Sequence, residues 1–433
     1  MPRARRYTEG VTVGSETARR PLPLSGLGIL LIATAIAGII AYVVTWLVPR
    51  QVGFASYTVF AVFWSFMYLV VGTLGGIQQE VTRGTSRVAK APAPRVSKAR
   101  NFAMYTGIFV FVVILATAPA WVTVVFPAEG WALVLPLAIG AASYVLVATL
   151  AGSLYGLSEW MPLALMLVVD SLMRLIALIV VLQFTSDIVA LAWTVAVPFP
   201  LTLLLLWPFI RKSIVGRTEL DVGYRALVRN IGQTVVAAGA TGLMVSGFPL
   251  LLGLVSRSEP KDLVGLYILS ITLTRAPLIV IALSLQSYLV VTFKRPGPGS
   301  PLRRLLMLMG VAAVVLAIAG WLLGPAVFGF LFPGQLVPEG SFLSILVLSS
   351  AIVGMLCITG PAVLARSRHL VYSGGWVVAA LVTIAMLLLP LEFSLRTILA
   401  LLAGPLAGLL VHAIYLLRHR AVNTDDARAD SPL

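Results

Sequence analysis

The sequence predicts an all-α, polytopic membrane protein, with about twelve transmembrane helices in two six-helix lobes around a central cavity. Three observations predict it. Of 433 residues, 59% are hydrophobic and only 11% charged, far from the balance of a soluble globular domain. Apolar runs of about 20 residues recur from end to end, each long enough to cross a hydrocarbon core of about 30 Å. The basic residues collect in alternate loops, as the positive-inside rule requires.

Residues 1–23 form a basic tail carrying Arg3, Arg5, Arg6, Arg19 and Arg20. The first lobe, 24–209, holds the apolar runs 24–48, 57–76, 103–126, 131–154, 161–183 and 188–209. A linker, 210–229, carries Arg211, Lys212, Arg217, Arg225 and Arg229. The second lobe, 230–417, holds 230–254, 263–291, 305–328, 341–364, 371–390 and 395–417, and a tail follows over 418–433. Lipid offers no water to backbone polar groups, so the runs are helices, and they lack the alternation of barrel strands. The first run has no small-residue cleavage site behind it and reads as a retained signal anchor. Residues 1–22 and 419–433 are polar and read as tails without fixed structure. Ala-Pro-Ala-Pro at 91–94 reads as a semi-extended linker within the loop 77–102.

Arg83, Arg87, Lys90, Arg95, Lys98 and Arg100 lie in that loop, and Lys294, Arg295, Arg303 and Arg304 follow the eighth run. They share a side with both tails and the linker. The other side has Arg50, Arg257, Lys261 and Arg396. This bias places both termini in the cytoplasm of a bacterial cell and the chain in its plasma membrane. The net charge of +15 is therefore topology and an attraction for anionic membrane lipids, with no call for nucleic acid. Trp46, Trp121, Trp131 and Trp207 lie near run ends and fit an interfacial belt.

A weak internal repeat divides the chain. Gly53-Phe-Ala-Ser-Tyr57 opens the second run and Val264-Gly-Leu-Tyr267 the eighth. Val124-Val-Phe-Pro127 ends the third and Phe330-Leu-Phe-Pro333 the ninth. Two copies of an even number of spans share one orientation and relate by an axis along the membrane normal. The first, second, seventh and eighth spans are then expected to line the path between them. The seventh run is rich in Gly, Ala and Ser between Gly232 and Gly247, which allows close packing or bending.

Charges inside apolar runs are the candidate site residues. Arg275 lies near the middle of 263–291. A guanidinium keeps its proton, and placing it at mid-bilayer costs at least about 2.5 kcal/mol. It either pairs with Asp170 across the bundle or forms a midplane anion site, where Pro277 would free backbone groups. Asp170 and Arg174 are four apart in the fifth run and meet on one helix face. They form a self-neutralised packing pair, or one of them lines the cavity. Arg83, with Glu80, follows the second run and is either an entry contact for an anionic head group or a topological anchor.

No catalytic constellation, metal site or nucleotide loop is present. His369, His412 and His419 assemble into nothing, the lone Cys357 has no disulfide partner, and no phosphate-cradling Walker motif occurs. An enzyme and a cofactor are not expected.

Several stretches resemble the polysaccharide flippases of the multidrug/oligosaccharidyl-lipid/polysaccharide exporter superfamily. They are VGLYILSITLTRAP opening the eighth run, GPAVFGFLFPG ending the ninth, GGIQQEVTR at 75–83 and GSLYGLSEWMPLALMLVVDSLMRLI at 152–176. The resemblance covers most of 24–417. It implies a flippase, similar to the Wzx O-antigen flippases and the lipid II flippase, that moves a polyprenyl-(pyro)phosphate-linked glycan to the outer leaflet. It implies glycosyltransferases or polymerases of the same pathway as partners. Arg275 matches in kind the cavity arginine of the eighth helix in lipid II flippases. Their first-helix arginines and two additional helices are absent here, which points away from lipid II. Two alternatives stand beside this reading: a cation-coupled multidrug exporter, and a non-transporting scaffold of cell-envelope assembly.

Overall fold

The computed structural model describes residues 24–90, 97–220, 223–284, 289, 293, 301–366 and 368–429. The basic tail 1–23, the Ala-Pro-Ala-Pro stretch, Arg95, Lys294, Arg295 and the side chains of Arg87, Lys90, Pro277, His369 and His419 lie outside the described residues.

The fold is all-α. Its helices are α1 (Leu24–Lys90), α2 (Ala99–Val125), α3 (Trp131–Leu157), α4 (Trp160–Phe184), α5 (Ile188–Ala196), α6 (Pro198–Ile214) and α7 (Tyr224–Val245). There follow α8 (Phe248–Val255), α9 (Lys261–Ser284), α10 (Pro301–Leu331), α11 (Gly340–Leu364), α12 (His369–Leu387) and α13 (Phe393–Ala429). One short antiparallel pair, β1 (Ser97–Lys98) with β2 (Glu219–Leu220), ties the start of α2 to the linker.

α1 has 67 residues. At about 1.5 Å per residue that is far longer than a bilayer core. It is kinked at Gly53, whose φ of 74° and ψ of 166° suit glycine alone. Residues 41–45 and 57–68 consequently line one cavity, so the two arms supply the first and second expected spans. Among the described residues nine helices are long and apolar enough to cross a membrane, or ten with α7 and α8 taken as one broken span. That number treats α1 as one helix and omits α9, whose side chains are described only as far as Arg275. The two arms of α1 and α9 restore the expected twelve.

Three boundaries differ from the sequence reading. Helix α1 runs on to Lys90, so Arg83 lies within a helix and not after it; the next proline is Pro92. Helix α13 continues to Ala429 in place of an unstructured tail, because no proline or glycine interrupts the chain between His419 and Ala429. The linker carries the β2 strand, two residues too short to leave a periodic signal.

Helices α1–α6 pack chiefly among themselves, as do α7–α13, and α1 is the main element that meets α7, α8 and α9. Burial follows the same order in both halves. The third and ninth spans, α2 and α10, are the least buried, and the fourth and tenth, α3 and α11, the most. Tyr105, Ile108 and Phe109 on α2 and Leu308, Val311 and Leu322 on α10 are exposed, which suits a lipid-facing surface.

The seam between the halves is tightest near Gly53. The Thr58 hydroxyl donates to the Lys261 carbonyl (2.7 Å) and the Trp46 indole N–H to the Leu331 carbonyl (3.3 Å). Phe54 packs edge-on against Phe328 and Phe332 at 6.3 and 6.0 Å. Phe126, in the matching motif of the first half, packs on Phe63 and Phe66 at 6.3 and 6.4 Å. Both Phe-Pro motifs of the repeat thus close on the second span. Gly265 lies so near the backbone of Phe54 that a Cβ there would strike its carbonyl oxygen.

Gly265→Ala is therefore expected to lower the unfolding temperature of the detergent-solubilised protein, with a penalty of about 1–3 kcal/mol for overpacking. Gly28→Ala, where an added Cβ meets nothing within 4 Å, is the matched control and should be neutral or slightly stabilising. Equal melting of the two variants contradicts a close seam at Gly265.

Candidate functional site

A cavity of about 310 Å³ lies where the two halves meet. Ala41, Val44 and Thr45 come from the first arm of α1, and Tyr57 to Tyr68 from the second. Val245, Ser246, Phe248 and Pro249 come from the broken α7–α8 span, and Ile271, Thr272 and Arg275 from α9. These are the first, second, seventh and eighth spans. No carboxylate is among the described residues that line the cavity.

Arg275 is 4% exposed. Its Nε, Nη1 and Nη2 atoms have no hydrogen-bond partner among the described residues. The guanidinium lies 5.9 Å from the centre of the Phe248 ring, a contact at the edge of cation–π range. Each buried polar group left unpaired costs about 1–3 kcal/mol, and more when charged. The backbone runs helical through Pro277. Among the described residues the cavity therefore carries a fork-shaped donor set with no counter-charge, on a wall of apolar and hydroxyl side chains.

The pairing of Arg275 with Asp170 does not form. The Arg174 guanidinium instead donates from Nη2 to Asp170 Oδ2 at 2.9 Å, one helical turn away on α4, where the pairing needs no distant element. Arg174 is buried, and its guanidinium faces the rings of Phe199, Tyr68 and Trp64 at 5.1, 5.7 and 5.9 Å. Neither Asp170 nor Arg174 lines the cavity. Trp64 and Tyr68, stacked at 4.9 Å, stand between: they line the cavity and also contact Arg174. The pair acts from behind the cavity wall. Arg83 is paired with Glu80, Nε to Oε2 at 3.0 Å, three residues apart and outside the cavity. The structure thus brings Arg275 alone of the four candidates to the cavity wall.

Ser65 is a residue that sequence reasoning missed. The α7–α8 span bends by 70° between Val245 and Phe248. In an unbroken helix the Leu250 N–H would donate to the Ser246 carbonyl. Here the Ser65 hydroxyl from the opposite half stands in that gap: it accepts from Leu250 N–H (3.1 Å) and donates to the Ser246 carbonyl. A serine within an apolar run gives no signal for this role. The small residues of the seventh span serve packing as well, since a Cβ at Gly72 would lie 3.6 Å from Gly242 Cα.

His412 is fully buried between α11 and α12. Its Nε2 donates to the Tyr372 carbonyl (3.3 Å), which leaves Nδ1 to accept from the Thr359 hydroxyl (3.0 Å). It is a satisfied core histidine. Among the described residues no group of His, Cys, Asp and Glu is placed to hold a metal ion.

No protein-family model matches the chain. The chain is 32% identical over 394 residues to Uncharacterized protein Rv3630 of Mycobacterium tuberculosis and to Uncharacterized protein Mb3654 of Mycobacterium bovis, covering 89% of this chain and 90% of each relative. It is 30% identical over 391 residues to Uncharacterized protein Rv1510 of Mycobacterium tuberculosis, again covering 89% and 90%. Among solved structures, the MATE multidrug transporter DinF-BH in complex with R6G matches with a TM-score of 0.63 at 12% identity, over 94% of this chain and 98% of that one. The inward-facing conformation of a multidrug resistance MATE family transporter of the MOP superfamily gives 0.61 at 15%, over 92% and 98%. Its outward-facing counterpart gives 0.59 at 14%, over 92% and 96%. The protein is thus a multi-pass membrane protein with the fold of the MATE transporters. Within that fold it belongs to the mycobacterial family that includes Rv3630 and Rv1510.

If Asp170 and Arg174 form a structural pair, replacing either alone with Leu leaves a charge uncompensated in an apolar setting. Each single variant should lose protein level and unfolding temperature, by up to about 3 kcal/mol because Asp170 is partly exposed. The double replacement should recover much of the loss. Wild-type stability of both single variants contradicts the pair.

Proposed function

We propose that the protein is a membrane flippase that carries a polyprenyl-(pyro)phosphate-linked oligosaccharide from the inner to the outer leaflet, for cell-surface polysaccharide or cell-wall assembly. One observation carries this reading: a buried guanidinium without a hydrogen-bond partner among the described residues, in a cavity whose described lining holds no carboxylate. Such a site attracts an anion and repels a cation. A phosphate group accepts two parallel N–H bonds from the arginine fork and neutralises it, satisfying donors that have no partner among the described residues. The glycan's phosphates are the anionic part of such a substrate and the part least able to cross hydrocarbon unaided. In the orientation expected from the loop charges, both termini are cytoplasmic and the inside-negative potential favours outward movement of the anion, by about 2.3 kcal/mol per charge per 100 mV. Glycosyltransferases or polymerases of the same pathway would supply or consume the lipid-linked glycan.

A second reading, a cation-coupled multidrug exporter, is supported by the fold shared with the MATE multidrug transporters. It requires embedded carboxylates. Asp170 is engaged with Arg174 and stands behind the cavity wall, which favours the flippase. A scaffold without a transport path would not need a buried cation in its central cavity.

The test is accumulation of the lipid-linked sugar in the inner leaflet, read beside protein level. Arg275→Ala is expected to abolish flipping at near-normal abundance, since deleting a membrane charge relieves an insertion cost. Arg275→Lys keeps the charge and loses the planar fork, and is expected to retain part of the activity. Full transport by Arg275→Ala would reduce Arg275 to a packing residue and reopen drug export.

A further inference from the structure

A second cavity, of about 490 Å³, lies on the first half, away from the central one. Its volume is within the range of about 300–1,000 Å³ typical of small-molecule sites. Helices α2, α3 and α6 and the β1–β2 pair enclose it. Lys98 and Arg100, both exposed, stand at its mouth. Glu219, the register partner of Lys98, is on the rim. Ala103, Leu146, Leu150, Leu203 and Trp207 make its apolar interior. Thr149 and Ser153 also line it, but their hydroxyl protons are already given to the Val145 and Thr149 carbonyls, at 2.9 Å each. Polar donors are therefore offered at the mouth and not at the floor.

The surroundings narrow the ligand further. Leu146 and Trp207 on its wall are themselves exposed, and α2 and α6 carry further exposed apolar side chains such as Tyr105, Phe109, Leu204 and Phe209, which suits a groove on helices that face lipid. Trp207, 45% exposed on its wall, is the residue type that favours the membrane–water boundary. An apolar slot opening to lipid, with cations at one end, matches an amphiphile with an acyl chain and an anionic head. Among the described lining residues two cations and one carboxylate leave one net positive charge, the complement of a single phosphodiester.

We propose that this groove binds a phospholipid with a singly charged phosphodiester head, of the phosphatidylglycerol type. Lys98 and Arg100 hold the phosphate, and an acyl chain lies along Ala103, Leu150 and Leu203. The mouth is built from β1, β2 and the end of α6, where the linker between the halves begins. The bound lipid consequently steadies that linker against α2. This site is independent of the central cavity and of the substrate proposed for it.

The test uses the delipidated full-length protein, offered phosphatidylglycerol or phosphatidylcholine and read by native mass spectrometry and unfolding temperature. The wild type is expected to retain phosphatidylglycerol in preference to phosphatidylcholine and to melt higher with it. The double variant Lys98→Gln and Arg100→Gln is expected to bind phosphatidylglycerol about 30-fold more weakly, from about 1 kcal/mol per basic residue. Both substituted residues are exposed, and the lipid-free melting temperature reports whether the fold is kept. Equal retention of the two lipids by the wild type overturns the proposal. So does undiminished phosphatidylglycerol binding by the variant, or loss of its lipid-free fold.

Discussion

The Arg275 guanidinium organises the centre of the molecule, because its charge is permanent and its donors have no partner among the described residues. A buried arginine in a membrane bundle ordinarily finds a carboxylate. The first half shows that solution in Arg174, which has Asp170 one turn away and three aromatic rings around it. Among the described residues of the second half, Arg275 has no such partner. The two arginines lie on opposite sides of the Trp64–Tyr68 stack, one neutralised and walled in, the other facing open space. The contrast leaves one guanidinium on the cavity wall and the other neutralised behind it.

The seam that encloses the cavity depends on the same few elements. Gly53 lets α1 turn back, so both of its arms reach the cavity. Gly265 lets α9 lie against the backbone of Phe54, and that contact sets where Arg275 falls along the wall. Ser65 stands in the gap left by one broken helical bond of the seventh span and holds its 70° bend. The bend places Phe248 beside the guanidinium. Separation of the halves along this seam would withdraw the Ser65 hydroxyl and leave Leu250 N–H free to rejoin the Ser246 carbonyl. Bend, cavity wall and arginine therefore belong to one mechanical unit.

Features governed by local chemistry were legible in the sequence. Apolar run length gave the spans, and the i,i+4 spacing of Asp170 and Arg174 gave their pair. The cost of a lone charge in an apolar run singled out Arg275. Features governed by distant partners were not. The sequence leaves open whether Arg275 pairs with Asp170 or forms an anion site, and the Trp64–Tyr68 stack beside Arg174 that decides it comes from a different helix. The position of Gly53 between the first two apolar runs marks a break, but that the helix carries on through it with a positive φ, unlike Gly28 and Gly38 inside the first run, is set by the fold. Ser65 meets residues more than 180 positions away, and no periodicity records such a contact. The two-residue strands and the helical extension to Ala429 depend on pairing and on the absence of a stop, both weak signals in a chain read one window at a time.

The sign of the charge that the central cavity accepts is the most direct measure of its chemistry. Calorimetric titration of the wild-type protein in neutral nanodiscs, with a polyprenyl diphosphate in one series and tetraphenylphosphonium in the other, reads it without a transport assay. Saturable binding of the diphosphate, weakened at least tenfold in Arg275→Ala, with no saturable binding of the lipophilic cation, is the expected result. Saturable binding of the cation with none of the diphosphate would contradict an anion site at Arg275.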